Sequence, residues 1–484
     1  MQRRSFLGQA SCSALSSLPV LNTLLNLKLA NHAAAQDLLP GTTDRKALVC
    51  VFLQGGNDSY NMLVPDSTTE HAAYSNARSN LALSQASLLP LNQLPAAAPL
   101  NGGDGRSYGL HPSLTNLAHL FNGTGPFASA GRRAAFVANV GTLIEPTTLA
   151  QYQAGAVPLP KALFSHSDQI EQWQTSLPQG GTQLTGWAGR AADIMHSAAN
   201  SQQVSMNFSL GGNSIFQVGN QTEQLVISSK GALSFSDSAV GPANLLALKN
   251  RGLKSLVEQT YANTMDQAFA RLTKSSAAAQ EFFQTAFNAP AATLTPAIEA
   301  MFPAGNFVAG NLRAVLKTIL ARQTLGLRRQ TFFVGYGGWD HHGELLTTQA
   351  GMLQYLDAAL GGFQRALDAL GLANDVVTFT GSDFGRTLRS NGRGTDHAWG
   401  GNALVFGGPV RSGRIFGTYP TFNQTGPDRF GPVDVGYGGR LLPTTSVDSY
   451  FAALLRWFGV SETNLPYVLP NLNNFGSNRL NLFS

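Results

Sequence analysis

Cysteine is nearly absent, with two among 484 residues. Cys12 falls in an N-terminal stretch that reads as a leader, and Cys50 lies inside an apolar run. The expected mature chain therefore cannot close an internal disulfide. Charge is sparse as well, at 12% Asp, Glu, Lys and Arg. No apolar run reaches the roughly 20 residues a membrane-spanning helix needs; the run from Ala10 is broken by polar residues and then by Lys28. No membrane span is expected in the mature chain. The basic excess is also small. Losing Arg3, Arg4 and Lys28 with a leader that carries no acid lowers the formal charge from +5 to +2. Nucleic acid is therefore not an expected partner.

What is present begins with Arg3-Arg4-Ser5-Phe6-Leu7, a twin-arginine start, followed by an apolar, small-residue stretch and by Ala33-Ala34-Ala35 ahead of Gln36. Residues 1–35 are expected to be a twin-arginine signal peptide, with the twin-arginine export machinery as partner and a periplasmic or secreted destination. Residues 36–484 are expected to form one domain. Apolar residues make up 43% of the chain, enough for a sizeable core, and 51 glycines and 23 prolines imply many turns.

Short β-branched or aromatic runs at 46–53, 134–141, 331–336, 375–380 and 402–407 read as buried strands. Helical stripes run through Leu114, Leu117, Leu120 and Phe121, from Glu344 to Leu372, and from Val447 to Phe458. Gly371 and Gly459 are placed to stop the last two. This alternation predicts an α/β fold: a doubly wound, mainly parallel sheet with helices on both faces. Residues of about 190–330 read as a largely helical insertion.

Three of the strands end alike. The first runs into Gly55-Gly56-Asn57-Asp58, another into Gly337-Gly338-Trp339-Asp340-His341-His342, and a third into Gly381-Ser382-Asp383-Phe384-Gly385-Arg386, with Asp396-His397 close behind. Ligands of open α/β sheets sit outside the carboxyl ends of the strands, so these groups are expected to converge. Asp58, Asp340, His342, Asp383 and His397 supply oxygen and nitrogen donors suited to Zn, Mn, Mg or Ca. Donors spread over several loops suit two adjacent ions better than one closed structural site. Adjacent side chains on an extended segment point opposite ways, so only one of His341 and His342 faces the site, and His342 is the expected one. Asp396 is placed to orient its neighbour His397 from behind. Arg386 either grips a phosphate or sulfate, or locks Asp383 or Asp396 in a structural ion pair. Trp173, Trp187 and Trp339 read as core, and Asp448 as complement to a helix dipole.

Together with Phe164-Ser165-His166 and Leu442-Pro443-Thr444-Thr445-Ser446-Val447-Asp448, these motifs resemble the bacterial family known as domain of unknown function number 1501. The resemblance covers nearly the whole mature chain. Members of that family are typically exported by the twin-arginine route and are grouped with the alkaline phosphatase and sulfatase superfamily. It implies an alkaline-phosphatase-like fold and metal ligands in the chain order Asp58, Asp340 with His342, Asp383, His397. It also implies Ser165 as nucleophile, with His166 as acid or base. Ser165 has an ordinary alternative as a helix N-cap. Phe384 departs from the pattern, because many superfamily members carry a metal-binding His there. The implied activity is that of an exported, metal-dependent hydrolase of phosphate or sulfate esters, on a small ester, a polysaccharide or a cell-envelope component. Two competing readings are a non-catalytic exported binding or assembly protein that keeps the fold, and a hydrolase using Ser165 and His166 without metal.

Overall fold

The computed structural model describes residues 44–484 apart from 96–97, 182–183, 201–203, most of 233–262, 437 and 477–478. The signal peptide expected over 1–35 lies outside the described residues. Ten strands build the main sheet: β1 (Lys46–Gln54), β2 (Ala134–Gly141), β3 (Asn207–Ser209), β4 (Gln224–Ser228), β5 (Gly231–Ala232), β6 (Arg329–Gly337), β7 (Val376–Ser382), β8 (Gly401–Gly407), β9 (Ile415–Phe416) and β10 (Thr445–Ser446). Their order is β9-β2-β8-β7-β1-β6-β3-β4-β5, with β10 also on β2. Strand β1 runs parallel to β7 and β6, and β3 continues parallel beyond β6. Strand β8 is antiparallel to both of its neighbours. The sheet is thus mixed but mostly parallel, as expected.

Strand β1 forms the centre because Ala47 to Leu53 are all buried, a run without alternation that requires cover on both faces. On one face α1 (His166–Thr175), α2 (Trp187–Ala199) and α3 (Val447–Phe458) bring in Trp173, Trp187 and Phe451, which pack against one another and against Phe52 and Phe379. Trp173, Trp187 and Trp339 are all interior. On the other face Phe307–Leu320 and Leu345–Ala369 pack together over the sheet. Gly371, at φ 68°, follows the end of the second of these helices, where its conformational freedom is used. The 190–330 range expected as an insertion also contributes β3 and β4, which lengthen the central sheet.

Register decides where the chemistry falls. Leu53 of β1 stands beside Ser382 of β7 and Tyr336 of β6, and Gln54 beside Gly337. Three parallel strands therefore end level, and their exit loops open onto the same rim.

Asp448, in the first turn of α3, is fully buried, and that burial pushes its carboxyl up to about 7. The folded value lies above the unfolded one near 3.9, so the fold prefers the neutral acid. Its stabilising contribution is complete below about pH 4 and is lost as pH rises through about 7. Asp448→Asn is expected to stabilise the protein at pH 8 by up to roughly 4 kcal/mol and to give no advantage at pH 4. Urea unfolding at the two pH values checks this; an equal shift at both would contradict it.

Candidate metal centre

The exit from β1 turns at Gly55 and Gly56, with φ of 117° and 78°. A Cβ at Gly55 would stand 2.6 Å from the backbone nitrogen of Asp340, so glycine is what lets the β1 and β6 exits touch. The Gly55 N–H donates to both oxygens of Asp383, at 3.1 and 3.0 Å, which joins the β7 exit to them. Helix α1 supplies the fourth element. Its approach passes through Phe164 at φ 72°, and His166, its first residue, points into the rim.

Asp340 is the hub. Its Oδ1 lies 3.4 Å from His166 Nε2, 3.0 Å from His342 Nε2, 3.4 Å from His397 Nε2 and 2.8 Å from Arg386 Nη1. The Nε2 atoms of His342 and His397 are 3.0 Å apart. Behind each ring the other nitrogen meets an acceptor: His166 Nδ1 meets Asp383 at 2.7 Å, His342 Nδ1 meets Asp396 at 3.1 Å, and His397 Nδ1 meets the Phe164 carbonyl at 2.7 Å. An imidazole that donates from Nδ1 is left, when neutral, with a lone pair on Nε2. Three lone pairs and a carboxylate thus face one small volume. Acceptors so close repel unless a cation lies among them. His166 Nε2 is buried and makes no hydrogen bond, an orphaned donor atom of the kind that binds an ion.

Bonds of 2.0–2.1 Å to a tetrahedral ion put its ligands about 3.3 Å apart. The ligand atoms of His166, Asp340 and His397 all lie within 4.8 Å of one another, so these three residues fit a divalent ion, and His342 Nε2 stands beside them at 3.0 Å from both Asp340 Oδ1 and His397 Nε2. The charges follow this packing. Burial alone would raise the Asp340 carboxyl, but Arg386, with His342 and His166, holds it below its ordinary value. The hydrogen bond to Asp383 lifts His166 above its usual value against the effect of burial. Burial lowers His397 despite its bond to the Phe164 carbonyl.

His166, Asp340, His342 and His397 come together; of the other residues singled out from the sequence, some back them and some stand apart. Asp383 is an outer partner, spent on His166 and the Gly55 N–H. Asp396 backs His342 rather than its neighbour His397. Arg386 is fully buried and locks Asp340, with its remaining donors on Thr395 at 2.6 and 3.2 Å. His341 is turned into the interior, near Asp58. Asp58 does not join the cluster: both it and its ion-pair partner Arg78 are fully buried. Ser165 occupies the N-cap position of α1 but caps no backbone N–H; its hydroxyl donates to Asp168 at 2.7 Å. The Phe384 ring lies 4.8 Å from the rings of both His166 and His397, walling that side of the cluster. The resemblance implied an acid or base role for His166; its place at a helix start was the signal the chain carried for a place in the site. The Phe164 carbonyl carried none, since a backbone acceptor has no residue-type signature.

No curated protein matches the sequence. Among solved structures, the crystal structure of Ps i-CgsB in complex with k-i-k-neocarrahexaose is 10% identical, with a TM-score of 0.30, covering 89% of this chain and 77% of that one. Wild-type alkaline phosphatase PafA is 13% identical, with a TM-score of 0.23, covering 72% of this chain and 64% of its own. The match that places the chain is to a family, over residues 45–434, which includes β1 to β9 and all four residues of the cluster. The chain belongs to the family described as protein of unknown function (DUF1501).

Proposed function

We propose that this chain is an exported, divalent-metal-dependent hydrolase of phosphate or sulfate esters, working in the periplasm or outside the cell. One observation supports it above the others: three imidazoles, each held from behind at Nδ1, aim their Nε2 atoms at one carboxylate. His166, Asp340 and His397 would hold the ion, with His342, beside Asp340 and His397, as the fourth donor. Three imidazoles and one carboxylate favour zinc over magnesium or calcium. One ion suits the cluster better than two, because Asp58 is buried away from it with one oxygen on Arg78, and Phe384 walls one side.

A divalent ion there would supply Lewis acidity to an ester oxygen and make water more acidic. The chain's own part is positioning. Arg386 keeps Asp340 ionised and fixed, while Asp383, Asp396 and the Phe164 carbonyl each set one imidazole's tautomer. Water is consumed and the ester divides into an alcohol and phosphate or sulfate. The alcohol belongs to a small ester, a polysaccharide or an envelope component, the esters an exported enzyme meets.

Purified mature protein is expected to carry about one zinc per chain. It should turn over para-nitrophenyl phosphate or sulfate, and lose that turnover on chelation. Neither metal nor turnover in a folded protein would overturn the proposal in favour of a non-catalytic binding or assembly role. Ser165→Ala separates two routes of attack. With its hydroxyl engaged by Asp168, attack by water is expected, and activity should stay within about tenfold. A loss of about 10³-fold or more would make Ser165 the nucleophile.

A further inference from the structure

We propose that Asn391 is a positioning residue of this centre, holding His342 in the ligand set by fastening both the carboxylate behind its ring and the backbone that carries it. The proposal rests on the metal-site reading above. Residues 385–399 double back on themselves. The Gly385 N–H donates to the Trp399 carbonyl at 2.8 Å and the Ala398 N–H to the Gly385 carbonyl at 3.0 Å. Arg386 and His397 form an antiparallel bridge, and the Thr387 N–H donates to the Asp396 carbonyl at 3.0 Å. The base of this hairpin thus supplies Arg386, Asp396 and His397.

Its tip lies on the segment that carries Asp340 and His342. The Thr395 N–H donates to the His341 carbonyl at 3.1 Å, and the Leu345 N–H to the Arg393 carbonyl at 3.2 Å. Gly394 has no room for a Cβ against the His341 carbonyl and the His342 backbone. Asn391 closes the assembly with its amide. Its Oδ1 accepts from the Arg393 and Gly394 N–H groups at 3.2 and 2.9 Å, shaping the turn. Its Nδ2 donates outward, to the His342 carbonyl at 3.2 Å and to Asp396 Oδ1 at 3.3 Å. That same Asp396 oxygen meets His342 Nδ1 at 3.1 Å. A single NH₂ group therefore fixes the imidazole from its acceptor and from its main chain. Asn391 is exposed, so replacing it strands no buried polar group.

Outer partners of metal-binding histidines typically govern affinity by about 10–100-fold. Asn391→Asp keeps the acceptor that shapes the turn, removes the Nδ2 donor and sets a second carboxylate beside Asp396. Asn391→Ala removes both functions. Zinc affinity is read by competition with a chromophoric chelator, alongside thermal unfolding of the zinc-free proteins. Both variants are expected to bind zinc about 10–100-fold more weakly, with zinc-free Asn391→Asp unfolding close to wild type. Wild-type zinc affinity in Asn391→Asp would overturn the proposal and leave Asn391 as a turn former, whatever Asn391→Ala does. A wild-type chain that takes up no zinc would instead overturn the metal-site reading, and the proposal with it.

Discussion

His166→Ala is expected to strip the centre of its metal, lowering metal content from about one ion per chain to near zero and affinity by more than about 100-fold. The ring supplies one of four donor groups, and its Nε2 has no other partner, so nothing in the protein replaces it. Ester hydrolysis should fall with the metal. Asp383→Asn should weaken binding less, by about 10–100-fold, because the amide oxygen can still accept from His166 Nδ1 while the charge is gone. Unfolding measured in chelator separates loss of ligand from loss of fold: His166 is partly exposed, so its removal leaves no large cavity, and the zinc-free loss should be held to about 1–3 kcal/mol, from the partner that buried Asp383 gives up. Full metal loading in His166→Ala would remove the cluster from consideration as the metal centre.

Arg78→Leu is expected to destabilise the protein by about 3–5 kcal/mol, the largest stability effect anticipated. Arg78 and Asp58 are both fully buried, and Arg78 also donates to the Thr387 carbonyl at 3.0 Å. Losing the guanidinium leaves a carboxylate in the interior without its counter-charge. Asp58→Asn combined with Arg78→Leu should recover much of that loss, since no unpaired charge remains. Urea unfolding of the two single variants and the double variant measures the coupling. Metal binding that disappears in Asp58→Asn, with folding intact, would instead return Asp58 to the ligand set.

The fold was legible because its central strands leave a plain mark. β1, β6 and β7 are covered on both faces, so they appear as short runs rich in apolar and β-branched residues without polar alternation, with a glycine at or just past each end. Asp340, His342 and His397 could be singled out because strands that end level send their exit loops to one rim. Asp58 shows where this logic stops. The Gly55–Gly56 turn and the short helix Ser59–Met62 carry it below the rim, onto a partner 20 residues away that no local pattern reveals. The division of labour between Asp383 and His166 was equally hidden. An acid after a strand and a histidine at a helix start are each plausible ligands, and only the 2.7 Å bond between them shows which stands in front. Arg386 followed the same rule: buried depth, invisible in the chain, turned a candidate anion grip into a lock on Asp340.

An anomalous-scattering map of crystals of the zinc-loaded protein, collected at the zinc edge, bears most directly on the centre. One peak is expected, at about 2.0–2.2 Å from His166 Nε2, His342 Nε2, His397 Nε2 and an Asp340 oxygen. A map with no peak among these four residues, or with its peak at Asp58, would contradict the single-ion site on which the proposed hydrolysis depends.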